Sequence, residues 1–294
     1  MVRWKKPALA LASVGLALAL GLSGAAPEAA AAAQTYKVFA PLAFKPAAPP
    51  TCPASSGNSY AAGGAAQWDI VDNPVRPAHL HADKNLALRG YNSTSAAKGL
   101  VNYGSDDPTQ PPQLATLFNP NRLPAFSGVY RANQWNWATS PAPGSAGGPI
   151  LDWPVTVLGL ATTPGEALRV PASGYDIGGG MEVLVLFADA DSIAFKYTRE
   201  DSVAPNGYLV HVDNICTDVN LLALYNSLNQ GARYVYLGVQ DHNVDYNLPN
   251  LPAGQVFGTA RGGEVRVAVV DSGTFLDPRS CNEWWQIRPG HPGC

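Results

Sequence analysis

The sequence predicts a mostly β fold, a loop-rich β region followed by a β barrel or sandwich that one helix interrupts. Three observations carry this. Only 14% of residues are charged, while 29 Gly and 26 Pro supply turns, the balance of a loop-rich β protein and not of a helical one. From about residue 149 to 280, "PVTVLGLA", "EALRVPAS", "MEVLVLFA", "SIAFKYTRE", "YLVHVDNI" and "EVRVAVVD" are β-branched or alternating runs divided by Gly, Pro and Asp. Among them, "TDVNLLALYNSLNQG" has helical period. Thr217 or Asp218 caps it, Leu221, Leu224, Tyr225 and Leu228 form the apolar stripe, and Gly231 stops it, placing a helix over about 218–230.

The elements follow in order. Residues 1–33 read as a secretory signal peptide: Arg3, Lys5 and Lys6, the apolar run from Pro7 to Leu22, then Ala-x-Ala cleavage options up to Ala33. The competing reading is a retained anchor. No cysteine follows the apolar run, which disfavours a lipid anchor, and no later stretch is long enough to span a bilayer. The expected location is secreted, extracellular or cell-surface. Residues 34–64 form an Ala/Pro/Ser/Gly-rich linker. Residues 65–148 hold short β-like pieces (Leu86–Tyr91, Gly128–Ala132) among Pro- and Asn-rich loops, with an aromatic spot in "FSGVYRANQWNW" and a second just beyond, in "LDWPV". The run Ser140–Gly148 marks an internal boundary. The barrel region spans 149–280 and a tail spans 281–294.

Charge bounds the partners. The formal charge of −3 becomes −5 once Arg3, Lys5, Lys6 and Glu28 leave with the leader, and no basic cluster remains to bind nucleic acid. The four cysteines, Cys52, Cys216, Cys281 and Cys294, contain no C-x-x-C pair. Export favours two disulfides, for which Cys281–Cys294 and Cys52–Cys216 are preferred among three connectivities.

Four segments resemble the lysostaphin-type zinc peptidases (M23 peptidoglycan endopeptidases). "VTVLGLATTPGEALRVPASG" is similar to "HxGxDLAxPxGTPVYAxxDG", and "NGYLVHVDNI" to "NGYxTxYAHLS". "LPAGQVFGTA" is similar to "VKxGQxIGxxG", and "EVRVAVVDSGTFLDPR" to "HLHFEVRxNGxPVDP". The resemblance covers most of residues 150–279 and implies a lysostaphin-like barrel. Its zinc-binding positions fall on Val155, Gly159, Asn214, Glu264 and Arg266, where only Glu264 has ligand chemistry. The resemblance therefore implies a non-catalytic relative without the metal-activated water. Cys216–Asn250 has no counterpart and reads as an insertion able to cover or reshape the family's groove. "VFAPLAFK" resembles a "YLPLV" tag of exported Chloroflexi-like proteins. The chain as a whole resembles a recurrent family of secreted bacterial proteins with no assigned activity, through "LATTPGEALRVP", "YDIGGGMEVLVL", "KYTREDS" and "GTFLDPRS…WW".

Outside the resemblance, "PAHLHADK" places His79, His81 and Asp83 at alternate positions, so an extended strand would converge them as metal ligands, with His211 or Asp213 completing the set. The structural reading is a solvent-facing loop. His211 and Asp213 otherwise solvate one strand face, His242 lies in a polar loop, and His291 is uninformative. "DIGGGME" lacks phosphate-loop and dinucleotide spacing and reads as a turn. No Gly-x-Ser-x-Gly elbow occurs. Asp189, Asp191, Glu200 and Asp201 are the carboxylates a glycosidase reading would need. Tyr197, Arg199 and Asp201 alternate onto one face, either a salt-bridge ladder or a recognition surface. Trp135 and Trp137, with Trp153, Trp284 and Trp285, serve either packing or stacking on sugar rings.

The expectation is a secreted, non-catalytic protein that binds cell-envelope glycan or peptide, or supports a structure there, with no cofactor. Its candidate binding residues are Trp135, Trp137, Tyr197, Arg199, Asp201, Glu264 and Arg266. The alternative is a zinc hydrolase of peptidoglycan-endopeptidase type built on His79, His81, Asp83 and His211.

Overall fold

A computed structural model describes residues 51–65, 76–103, 110–139, 142–200, 207–228 and 246–290. The signal peptide, Asp201, Gly231, His242, His291 and Cys294 lie outside the described residues.

Successive side chains point to opposite faces, both of them buried along Val183–Ala188, Ser192–Lys196 and Tyr208–Asp213, so the β-branched and alternating runs become strands. In chain order they are β1 (Ala61–Ala65), β2 (Tyr91–Ser93), β3 (Phe126–Asn136), β4 (Ser145–Pro149), β5 (Val157–Ala161), β6 (Ala167–Arg169) and β7 (Val183–Ala188). There follow β8 (Ser192–Lys196), β9 (Tyr208–Asp213), β10 (Ile215–Thr217), β11 (Tyr246–Leu251), β12 (Val256–Ala260), β13 (Glu264–Asp271) and β14 (Thr274–Phe275). Among the described residues three α-helices accompany them: α1 (Leu86–Arg89), α2 (Val219–Leu228) and α3 (Cys281–Trp284).

The large sheet runs β1-β11-β7-β8-β9-β13-β5-β3-β2, with β14 added to β13 and β4 to β3; β10-β12-β6 form a smaller sheet. All these pairings are antiparallel. Among the described residues the edge strands β1 and β2 do not pair, so the sheet is open. This corrects the barrel expectation. Strands from the loop-rich region extend the sheet beyond β5, and β11 with β1 extends it beyond β7, in place of a closing ladder.

Register sorts the two faces. Ile193, Val212, Val267, Leu158 and Val129 stand in one cross-strand row. All five are buried, and each contributes roughly 1.5–3 kcal/mol of apolar burial. On the same face Phe195 meets Phe257 of the small sheet at 4.8 Å, while Tyr208 meets Trp284 at 5.5 Å. Trp284 and Trp285 are therefore core residues, with indole N–H groups bonded to the carbonyls of Asp277 (3.0 Å) and Pro278 (2.8 Å). A buried ion pair, Arg279 Nη2 to Asp277 Oδ2 at 2.7 Å, ties this end to Tyr103 and the Ala97 carbonyl.

The predicted helix forms as α2. Asp218 caps it, accepting from Asn220 N at 2.9 Å, and Leu221 and Tyr225 are its buried stripe. It packs on β7 and β11, with Tyr225 donating to the Leu186 carbonyl at 3.1 Å. Several strands separate it from β5 and β3. Cys52 is bonded to Cys216, as expected, and Ser56 and Asn58 reinforce the tether by donating to Asp218. Cys281 is also disulfide-bonded; the expected partner lies outside the described residues.

Leu86–Tyr91, read as β-like, is instead mostly α1. Asn85 caps it by accepting from Ala87 N, and Gly90 ends it at φ 63°. Local capping chemistry outweighs the β-like composition of so short a segment.

Candidate functional site

The opposite face carries a row of another kind: Ser192, Asp213, Arg266, Gly159 and Gly128 are cross-strand partners along five strands. Two residues along β13 lies Glu264. Its carboxylate accepts from Ser127 Oγ (2.5 Å), Tyr130 OH (2.9 Å) and Arg266 Nε (2.8 Å), while the Asn214 amide donates to its backbone carbonyl (2.5 Å). Arg266 Nη1 donates to Tyr91 OH at 3.1 Å. Its guanidinium lies 5.2 Å from the Tyr91 ring and 5.0 Å from the Tyr130 ring, close enough for cation–π attraction to both.

Two glycines make the floor. A Cβ on Gly128 would run into the Tyr130 ring, and one on Gly159 would stand 2.7 Å from Glu264 Cδ and 2.8 Å from the Gly128 backbone nitrogen. Gly in a strand interior marks close approach of a neighbour, and here the phenol and the carboxylate lie over the cross-strand glycine pair.

Burial separates the two acids. Asp213 is 6% exposed. Burial, then the charges of Asp189 and Asp191, pushes its carboxyl up to about 7, against a hydrogen bond with Tyr91 and the nearby Arg266. Burial also raises Glu264, but the bonds from Ser127, Tyr130 and Arg266 outweigh it and hold that carboxyl below its ordinary value. The face thus presents a fixed carboxylate, a guanidinium packed against two phenol rings, and a second carboxyl pushed up to about 7.

Of the five positions matched to zinc ligands, Gly159, Asn214, Glu264 and Arg266 come together here, and Val155 is buried ahead of β5. They do not fit a zinc ion. Only Glu264 has ligand chemistry, its oxygens are taken by three donors, one cationic, and Gly159 has no room for a carboxylate side chain.

The remaining candidates disperse. His79, His81 and Asp83 lie in and after a 3₁₀ turn at Ala78–Leu80, not in an extended strand. His79 is exposed, His81 is buried with its ring edge to Trp137 at 5.0 Å, and Asp83 forms an ion pair with Arg89. Pro77 starts the turn, so the loop reading holds for His79, but His81, Ala82 and Lys84 pack inward. His211 is buried and does not solvate a face. It stacks on Phe275 at 6.4 Å, its Nε2 has no partner among the described residues, and burial with the Arg89 charge lowers its pKa to about 3. Among the described residues no three His, Cys, Asp or Glu side chains are grouped to hold a metal.

Tyr197 is buried and donates to the Pro171 carbonyl at 2.7 Å, so it belongs to the core and presents no recognition face. Arg199 clamps backbone, reaching the carbonyls of Ile177 and Gly64. Trp135 donates to the Pro143 carbonyl at 2.6 Å and meets Trp137 at 6.3 Å, and Trp137 is 44% exposed beneath the Arg76 guanidinium. Asp191 pairs with Arg261 at 2.8 Å, and Asp189 closes the turn before β8 by accepting from Ser192 N at 2.7 Å.

No family model, no curated protein and no solved structure matches the chain.

Sequence reasoning named Glu264 and Arg266 but missed Ser127, Tyr130, Tyr91 and Gly128. The signal for the last was present: Gly128 stands inside a run of β character, where only a close approach favours it.

Proposed function

We propose that the chain is a secreted, non-catalytic binding protein that holds cell-envelope glycan or peptide on the face around Glu264 and Arg266. One observation supports this above the rest. The Arg266 side chain is 32% exposed, yet it is held by Glu264, by the Tyr91 hydroxyl and by two phenol rings. A guanidinium that spends four contacts on being oriented and still reaches solvent is pre-organised to donate to a ligand, because little conformational freedom is left to lose on binding. Tyr91 and Tyr130 add partly exposed rings of the kind that pack on sugar or peptide. Glu264 and Arg266 occupy positions where the resembling peptidases carry zinc ligands, so a groove for envelope polymer would be kept while hydrolysis is lost.

The test is co-sedimentation of the purified mature chain with insoluble cell-wall material. The wild type should be retained, and Arg266→Ala should lose retention about tenfold or more. Failure of the wild type to sediment, or equal retention of Arg266→Ala, would sink the proposal. Stoichiometric zinc in the purified protein, lost on His79→Ala, would replace it with the hydrolase reading.

A further inference from the structure

Resting on that reading, we infer that the ligand presents a carboxylate, which Arg266 takes on its open Nη2 edge with the Lys98 ammonium flanking it. Three features of the face lead there.

The first is the state of the guanidinium. Its Nε donates to Glu264 and its Nη1 to Tyr91, and among the described residues its Nη2 group has no acceptor. Both rings lie toward one side of the ion, since their centroids are 5.7 Å apart and stand 5.2 and 5.0 Å from its carbon, so a ligand reaches it from the side the rings leave open. A carboxylate is the charge-matched acceptor for the remaining nitrogen.

The second is a further cation in the same chain of contacts. Lys98 is exposed, and its Nζ donates to the Ser127 carbonyl at 2.5 Å; Ser127 Oγ in turn holds Glu264, which holds Arg266. The Lys98 ammonium is thereby linked to Arg266 through Ser127 and Glu264.

The third is the charge left over. Glu264 has its oxygens occupied by Ser127, Tyr130 and Arg266, so it offers a ligand little as an acceptor. Asp213 lies buried beneath. An arriving molecule meets two cations, Arg266 and Lys98, against the one carboxylate of Glu264, a balance that favours an anion.

Two sources in cell-envelope polymer supply such a carboxylate, an acidic sugar and a peptide C-terminus. NMR titration of the mature chain with four probes separates them: N-acetylmuramic acid against N-acetylglucosamine, and D-alanyl-D-alanine against its amide. At least one acid should bind about tenfold or more tighter than its neutral counterpart, and the acid that does so names the source. Lys98→Gln, exposed and outside the sheet, should weaken that acid a few-fold, and Arg266→Gln should erase the acid-to-neutral difference. Equal binding of acid and neutral probes would overturn the carboxylate and leave a binding face. If no probe binds and cell-wall material is not retained either, the functional reading fails with it. If that material is retained but no acid shifts resonances of Tyr91, Tyr130 or Arg266, the carboxylate inference alone is overturned.

Discussion

Replacing Gly159 with alanine tests the glycine floor directly. The added Cβ would stand 2.7 Å from Glu264 Cδ and 2.8 Å from the Gly128 nitrogen, both inside van der Waals contact. The two neighbours can respond differently. Glu264 can swing outward, which breaks its bonds from Ser127, Tyr130 and Arg266, and a bond to a charged group is worth about 1.5–3 kcal/mol where water cannot replace it. Gly128 is backbone in the adjacent strand and moves only if β3 parts from β5. Overpacking of this kind costs about 1–3 kcal/mol. Alanine recovers roughly 0.5–1 kcal/mol of the entropy penalty of glycine in a strand. The net expectation is a loss of about 2–4 kcal/mol. Urea unfolding followed by tryptophan fluorescence reads it as a midpoint lowered by about 1–2 M with unchanged slope. Gly99→Ala is the control: nothing lies within 4 Å of its added Cβ, and it should stay within about 0.5 kcal/mol of wild type. A Gly159→Ala protein as stable as that control would refute the close packing of Glu264 over Gly159.

Three further outcomes are expected. Asp213, raised to about 7, binds more protons folded than unfolded, so its contribution makes stability fall as pH rises from about 4 to 7, by at most about 4 kcal/mol. His211, lowered to about 3, does the reverse, and stability is lost as pH falls from about 6.5 toward 3. The two slopes oppose between about 4 and 6.5. Asp213→Asn should therefore steepen the rise of stability with pH in that window and His211→Gln should reverse it, as urea titrations at each pH would show. Arg279→Ala strands the buried Asp277 carboxylate and should cost about 3–5 kcal/mol in the same unfolding assay, more than Arg261→Ala at the exposed pair with Asp191, which should cost about 1 kcal/mol or less. The double variant Cys52→Ser with Cys216→Ser releases a bridge that spans 164 positions and should lower stability by about 2–5 kcal/mol, visible as a drop in Tm; dithiothreitol, which also reduces the Cys281 bridge, should lower the wild-type Tm by at least as much. A Tm unmoved by either treatment would assign no stability to the tether.

β-branched and apolar runs divided by Gly, Pro and Asp made the strands legible. Each of the six runs quoted from the C-terminal region coincides with a strand, and α2 falls where its cap and stripe place it. The Cys52–Cys216 bridge was legible too, though only as one option among several. Less was legible where side-chain role depends on which neighbours arrive from far along the chain. Tyr197 and Arg199 alternate as a recognition face would, yet one is buried against Pro171 and the other clamps the backbone of residues 64 and 177. His79, His81 and Asp83 have metal-ligand chemistry and a convergent spacing, and a single 3₁₀ turn separates them.

The site divides along the same line. Alternation along "EVRVAVVD" by itself places Glu264 and Arg266 on one face, opposite Val265, Val267 and Val269, because successive side chains in a strand must point to opposite sides. That was determined locally. That the face is roofed by two tyrosines, floored by Gly128 and Gly159 and backed by Asp213 was decided by register between strands remote in sequence. The openness of the sheet was decided in the same way. Strand pairing is a contact between distant segments, and no local preference states which edge a strand will join.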